Sequence, residues 1–244
     1  RQAREQDLER GLTIIGSRPE ALGRFMIAYT RLARLPQPKL QPVEIGAPGP
    51  GELRIKVEAF GLNRSEAMFR AGRYPAKPAL PTLIGYEACG IVEALGDGVT
   101  GFEIGQRVSA LPMYQLGQYG VWATQAIVPA RCLLPAPDGL TPAQAAAVWM
   151  QYMTPFAIIE VGEAGIGDYV IIPAASSSVG LAAIQLANWA GAVSIAATRT
   201  SEKAEQLKAL GAQHVIATQE VDLVAEVMRI SGGKGARIVF DPVQ

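Results

Sequence analysis

The sequence predicts an α/β protein in two parts: a β-rich, mostly antiparallel domain, then a doubly wound parallel sheet. Three observations carry this. From Phe25 to about Leu134, short apolar or alternating runs are separated by Gly and Pro, the texture of short strands joined by turns. After Leu140, strand-like runs alternate with helical patterns of about 10–15 residues, the spacing that βαβ crossovers need. The change of texture falls at "LTPAQAAAVWMQYM", a run of helix formers. The expected divisions are an extension over 1–24, a β domain over 25–150 and a parallel-sheet domain over 151–244.

The elements follow in order. Arg1 to Arg24 is dense in charge, and Leu8, Leu12 and Ile15 are spaced along one helical face, which fits either a short surface helix or a tail. "LRIKVEAFGL", "ACGIVEALG", "QRVSALP" and "VWATQAIVPA" read as strands. "PGPGE" at Pro48–Glu52 and "GDGV" at Gly96–Val99 read as turns. Thr141 is placed to cap a helix whose first residue is Pro142, which has no N–H to leave unpaired. "DYVIIPA", "VSIAAT", "HVIAT" and "ARIVFDPV" are strands. "VGLAAIQLANWAG", "SEKAEQLKALG" and "VDLVAEVMRISGG" are the helices between them, and Gly191 and Gly211 end the first two. A complete sheet of this kind has about six strands, so the four found before Gln244 predict either a sheet truncated at its C-terminal side or a naturally short one, whose edge would then be open and prone to association.

Composition narrows the function. The 244 residues carry 22 basic and 22 acidic groups with no basic block, which argues against a nucleic-acid or anionic-membrane surface. No apolar run approaches the ~20 residues of a membrane span. Cys89 and Cys132 stand far apart, in no disulfide or zinc spacing, which points to a reducing, cytoplasmic setting. The single histidine, His214, opens a strand and reads as structural.

The chemistry concentrates after "DYVIIPA". A helix that follows a parallel strand presents free N–H groups and partial positive charge to a diphosphate. The turn here is Ala174-x-x-Ser177-x-x-Gly180, with Ser177 where a central glycine would give phosphates room. Either Ser176, Ser177, Ser178, Val179 and Gly180 bind a dinucleotide diphosphate, or the serines simply cap a helix. At the end of the second strand an NAD site wants an acid for the ribose 2′-hydroxyl. "ATRTSEK" instead offers Thr198, Arg199, Thr200, Ser201 and Lys203. Two cations and neighbouring hydroxyls suit a 2′-phosphate and hence NADPH, while an ordinary solvated helix start is the alternative.

These motifs, with "AFGLNRSEAMFRAGRYP", "PTLIGYEACGIVEALGDGVTGFEIGQRV", "LKALGAQHVI" and "VFDPV", occur in an order that resembles the medium-chain dehydrogenase/reductase superfamily in its zinc-free quinone oxidoreductase branch, over roughly Phe25 to Val243. The resemblance implies a GroES-like catalytic domain beside a Rossmann NADP-binding domain, with the active site in the cleft between them. It implies a homodimer where the C-terminal part of the sheet is present. Asn63 and Tyr86 stand where zinc-bearing relatives place ligands, so no zinc is expected. Asn63 and Thr154 match positions beside the nicotinamide, though Asn63 could equally be a left-handed turn residue and Thr154 a hydroxyl bonded back along its helix. Tyr86 and Tyr119 could donate to a developing oxyanion or be half-buried core. Lys203 is the leading candidate for the 2′-phosphate, and Thr218 stands where some relatives cover that phosphate with a tyrosine. The implied activity is hydride transfer from NADPH to a small molecule, a quinone or activated alkene. Enoyl thioester reduction and a non-catalytic NADPH-binding or scaffold role are the alternatives.

Overall fold

The computed structural model describes residues 25–30, 37–79 and 81–241, without the side chains of 25–30 and 37–41. The extension expected over 1–24 lies outside the described residues. The chain divides into two compact units between Trp149 and Met150.

In the first unit, β1 (Phe25–Thr30) and β2 (Gln37–Pro42) form an antiparallel pair. The main sheet holds β3 (Glu52–Phe60), β4 (Ala88–Leu95), β5 (Arg107–Ala110), β6 (Gln125–Pro129) and β7 (Leu133–Pro135). Its order is β6-β3-β4-β5-β7, antiparallel throughout. Leu53, Ile55, Val92, Val108 and Val128 are buried on it. One helix was not expected inside this β texture: α1 (Arg64–Arg70), which begins directly after Asn63.

Helix α2 (Pro142–Met153) starts as the sequence predicts, with Thr141 N–H donating to Gln144 Oε1 at 2.9 Å and Gln144 N–H donating back to Thr141 Oγ1 at 3.3 Å. After the single turn α3 (Ala157–Glu160), the second unit runs through β8 (Tyr169–Ile172), α4 (Ser178–Trp189) and β9 (Val193–Thr198). A short 3₁₀ turn (Ser201–Lys203), α5 (Ala204–Ala209), β10 (His214–Ala217), α6 (Leu223–Ile230) and β11 (Ile238–Val239) complete it. All pairings are parallel, in the order β10-β9-β8-β11.

Both faces of this sheet are covered, so its strands are apolar continuously rather than alternately. Val170, Ile172 and Ala196 pack with Ala183, Ile184, Ala187 and Leu207 on one side. Ile171, Ile195, Ala197 and Ile216 pack with Val227 on the other. The chain moves outward from β8 to β9 and β10, then crosses back to place β11 on β8's other side. That reversal makes the β8/β11 boundary the topological switch point, where open parallel sheets bind ligands beyond the strands' C-terminal ends. Among the described residues no helix is long and apolar enough to cross a membrane.

Candidate functional site

The turn after β8 lies at the switch point. Ser177 N–H donates to the Ala174 carbonyl at 2.9 Å, and Ser177 Oγ accepts from Gly180 N–H at 3.0 Å as the cap of α4. Ser176, Ser177 and Ser178 are exposed, so their hydroxyls and this end of the helix face solvent. Gly180 is buried. A Cβ there would lie 2.7 Å from Ala174 O, Ala175 Cα and Ala175 O, so only glycine lets the helix sit this close to the turn. Ala174 takes φ +48°, a left-handed conformation that costs an L-residue about 1 kcal/mol.

Beside it, β9 delivers Thr198 and the turn that follows. Thr198 Oγ1 donates to the Thr200 carbonyl at 2.8 Å, and the Thr198 carbonyl accepts both from Thr218 N–H at 2.8 Å and from Thr218 Oγ1 at 3.0 Å. Arg199 and Lys203 are exposed, and among the described residues neither forms an ion pair.

In the first unit a second cluster forms around buried acids. Asn63 has φ −119° and ψ 157°, which is extended backbone, so it is not a left-handed turn residue. Its Nδ2 donates to Glu87 Oε1 at 3.0 Å, and its N–H donates to Glu66 Oε2 at 2.9 Å. Glu66 is fully buried and also accepts from Ser65 Oγ at 3.2 Å and Tyr86 N–H at 3.2 Å. Burial outweighs those donors and pushes the Glu66 carboxyl up to about 7. Glu87 is buried against Gly61, where an added Cβ would meet its carboxylate. Tyr86 is buried, and its hydroxyl lies 3.5 Å from that of Tyr74. Desolvation raises its pKa, so the phenol keeps its proton at neutral pH.

Two family models match the chain in order: the alcohol dehydrogenase GroES-like domain over residues 49–138 and the zinc-binding dehydrogenase over 178–244. The solved Escherichia coli quinone oxidoreductase, complexed with NADPH, aligns with a TM-score of 0.77 at 29% identity, covering 88% of this chain and 65% of that one. The Burkholderia 2-haloacrylate reductase is 33% identical over 208 residues, 83% of this chain and 61% of the relative. The human synaptic vesicle membrane protein VAT-1 homolog is 36% identical over 208 residues, 84% of this chain. This chain belongs to the medium-chain dehydrogenase/reductase superfamily, in its quinone oxidoreductase-like branch. It spans about half the length of the VAT-1 homolog.

For a medium-chain dehydrogenase/reductase fold, the placements divide. Ser176 to Gly180, Thr198 to Lys203 and Thr218 fall on neighbouring strand ends of one parallel sheet. Asn63 and Tyr86 are joined through Glu66. Tyr119 reaches them through a run of rings: its ring centroid lies 5.8 Å from that of Tyr114, which lies 5.8 Å from that of Tyr86, while its phenol donates to Glu52 Oε1 at 2.8 Å at the start of β3. Thr154 Oγ1 donates to the Met150 carbonyl at 2.8 Å, the back-bonded alternative, so its oxygen remains only an acceptor.

Sequence reading passed over three acids. Glu66 stands three residues after Asn63, and that capping-box spacing would have revealed both it and α1. Glu87 adjoins Tyr86 but gives no local signal. Glu220 accepts from Ser201 N–H at 2.8 Å and Ser201 Oγ at 3.2 Å, which places an acid at the turn after β9 from nineteen residues further along the chain. Only the pairing of β10 with β9 makes it visible. Among the described residues no three His, Cys, Asp or Glu side chains are grouped to hold a metal ion.

Proposed function

We propose that the chain is the NADPH-binding and substrate-orienting part of a zinc-independent reductase of quinones or other activated, α,β-unsaturated carbonyls. The observation that carries this reading is the turn at the β8/β11 switch point: an exposed helix start, a glycine fixed by backbone contact, and, on the neighbouring turn, two exposed cations that form no ion pair among the described residues. The residues fit the cofactor. The α4 amides with Ser176 and Ser178 would take the diphosphate, and Arg199 and Lys203 the adenosine 2′-phosphate. Bound NADPH supplies a hydride at its nicotinamide ring.

The first unit's side chains then set the chemistry. Asn63, held by Glu87 through one N–H and by Glu66 through its backbone, keeps a second amide N–H for orienting a carbonyl. Tyr86, protonated at neutral pH, is a donor for negative charge that develops on a substrate oxygen. Asn63 and Tyr86 occupy positions where zinc-bearing relatives place ligands, and Cys89 and Cys132 are both buried. Substrates whose own conjugation spreads the charge are therefore the natural class. Elemental analysis is expected to find no stoichiometric zinc, and one zinc per chain would overturn that part of the reading.

Titration with NADPH, followed by its fluorescence, tests the proposal. Enhancement or a blue shift, weakened by Lys203→Ala, supports it. A second reading, a binding protein without catalysis, draws on the commitment of the Thr154 and Tyr119 hydroxyl protons to Met150 and Glu52. NADPH binding with no turnover of quinones, enones or enoyl thioesters by the full-length protein would favour it.

A further inference from the structure

An acid stands where NADPH selection is usually argued from cations alone. We propose that Glu220 determines how strongly this site discriminates NADPH from NADH, an inference that rests on the dinucleotide reading given above. The β9–β10 pairing ends with Ala217 beside Thr198, and beyond it Gln219 N–H donates to the Arg199 carbonyl at 3.0 Å. The next residue, Glu220, therefore lies against the turn that holds Arg199, Thr200, Ser201 and Lys203. Its Oε1 takes both the N–H and the hydroxyl proton of Ser201, at 2.8 and 3.2 Å. Neither Arg199 nor Lys203 forms an ion pair with it.

Two consequences follow. Glu220 uses the Ser201 hydroxyl, one of the hydroxyl donors this turn has for a phosphate oxygen. It also sets a full negative charge beside the cations that would attract that phosphate. The 2′-phosphate carries between one and two negative charges near neutral pH. At a separation of about 5 Å in water, repulsion from one carboxylate changes a dissociation constant about tenfold. NADH has no such phosphate, and its ribose 2′-hydroxyl can instead donate to the carboxylate. Glu220 thus lowers the preference for NADPH that Arg199 and Lys203 create.

The test measures dissociation constants of NADPH and NADH for the unaltered chain, Glu220→Gln and Glu220→Lys by fluorescence titration, with circular dichroism as the check on folding. Gln keeps the size and one acceptor for Ser201 while removing the charge. The ratio of the NADH constant to the NADPH constant is expected to rise about tenfold in Glu220→Gln and further in Glu220→Lys, and the gain should shrink at 1 M salt. A ratio that stays within twofold or falls, in folded variants of a chain that binds both nucleotides, overturns the role of Glu220 alone. Failure of the unaltered chain to bind either nucleotide overturns the cofactor reading and this inference together.

Discussion

The turn after β8 and the acid cluster around Asn63 reach order by opposite physical means. The turn is assembled from backbone and small polar groups left open to solvent, and its shape depends on one buried glycine packed against two alanines. The cluster is assembled from carboxylates withdrawn from solvent, Glu66 held by several donors and Glu87 by the Asn63 amide, and its shape depends on charge and hydrogen bonding. An open helix end can receive an anion without paying desolvation twice, whereas a buried carboxylate is costly and must be fully engaged by its neighbours. Sterics should therefore break the first region, and proton occupancy the second.

The largest effect is expected from Gly180→Ala. A Cβ 2.7 Å from three backbone atoms forces α4 away from the turn, at a cost of roughly 3 kcal/mol in the second unit, and dinucleotide binding should fall with it. Denaturant unfolding with a second-unit probe measures this, and an unchanged midpoint would refute the close packing.

Next is the pH dependence set by Glu66. Its folded-state carboxyl titrates near 7 against an ordinary 4.5, so the folded state binds the proton more tightly than the unfolded one. Its contribution is fully present below about 4.5 and is lost as the pH rises toward 7, up to about 3 kcal/mol in the first unit. Glu66→Gln should flatten that slope in unfolding experiments across this range. A variant with the unaltered pH profile would place the titration elsewhere.

A smaller effect belongs to Lys203→Ala, which should raise the NADPH dissociation constant about tenfold, as expected for loss of one charge-assisted contact, and that of NADH less than twofold. Equal losses would count against a 2′-phosphate contact. The smallest is Ala174→Gly. It relieves the left-handed strain but loosens the unfolded chain, leaving a net gain of about 0.5 kcal/mol by thermal unfolding.

The same contrast explains what the sequence disclosed. The strands and helices of the second unit are legible because each carries its signal within a few residues. "VSIAAT" coincides with β9, and "VGLAAIQLANWAG" overlaps α4, which begins one residue earlier at Ser178 and ends two residues sooner at Trp189. The serine turn is legible for the same reason, as a cap three residues before a glycine. Of the strand expected over "ARIVFDPV", residues 242 and 243 lie outside the described residues, and among the rest only Ile238–Val239 pairs, because an apolar run does not say how many residues find a partner. Helix α1 was hidden by the surrounding β texture, although Asn63 and Glu66 marked its start. Glu87 and Glu220 were out of reach, since their partners Asn63 and Ser201 are 24 and 19 residues away and only tertiary pairing joins them. That the Tyr119 ring reaches the Tyr86 ring through Tyr114, while its phenol is taken by Glu52, is likewise set by tertiary packing alone.

The account turns on the diphosphate lying at the start of α4. A crystal structure of this chain with NADPH tests that directly. The account predicts the diphosphate against the Ser176–Gly180 amides, with the adenosine phosphate within hydrogen-bond distance of Lys203 or Arg199. Nucleotide bound elsewhere, or a turn that stays closed by its own serine side chains at saturating NADPH, would contradict it.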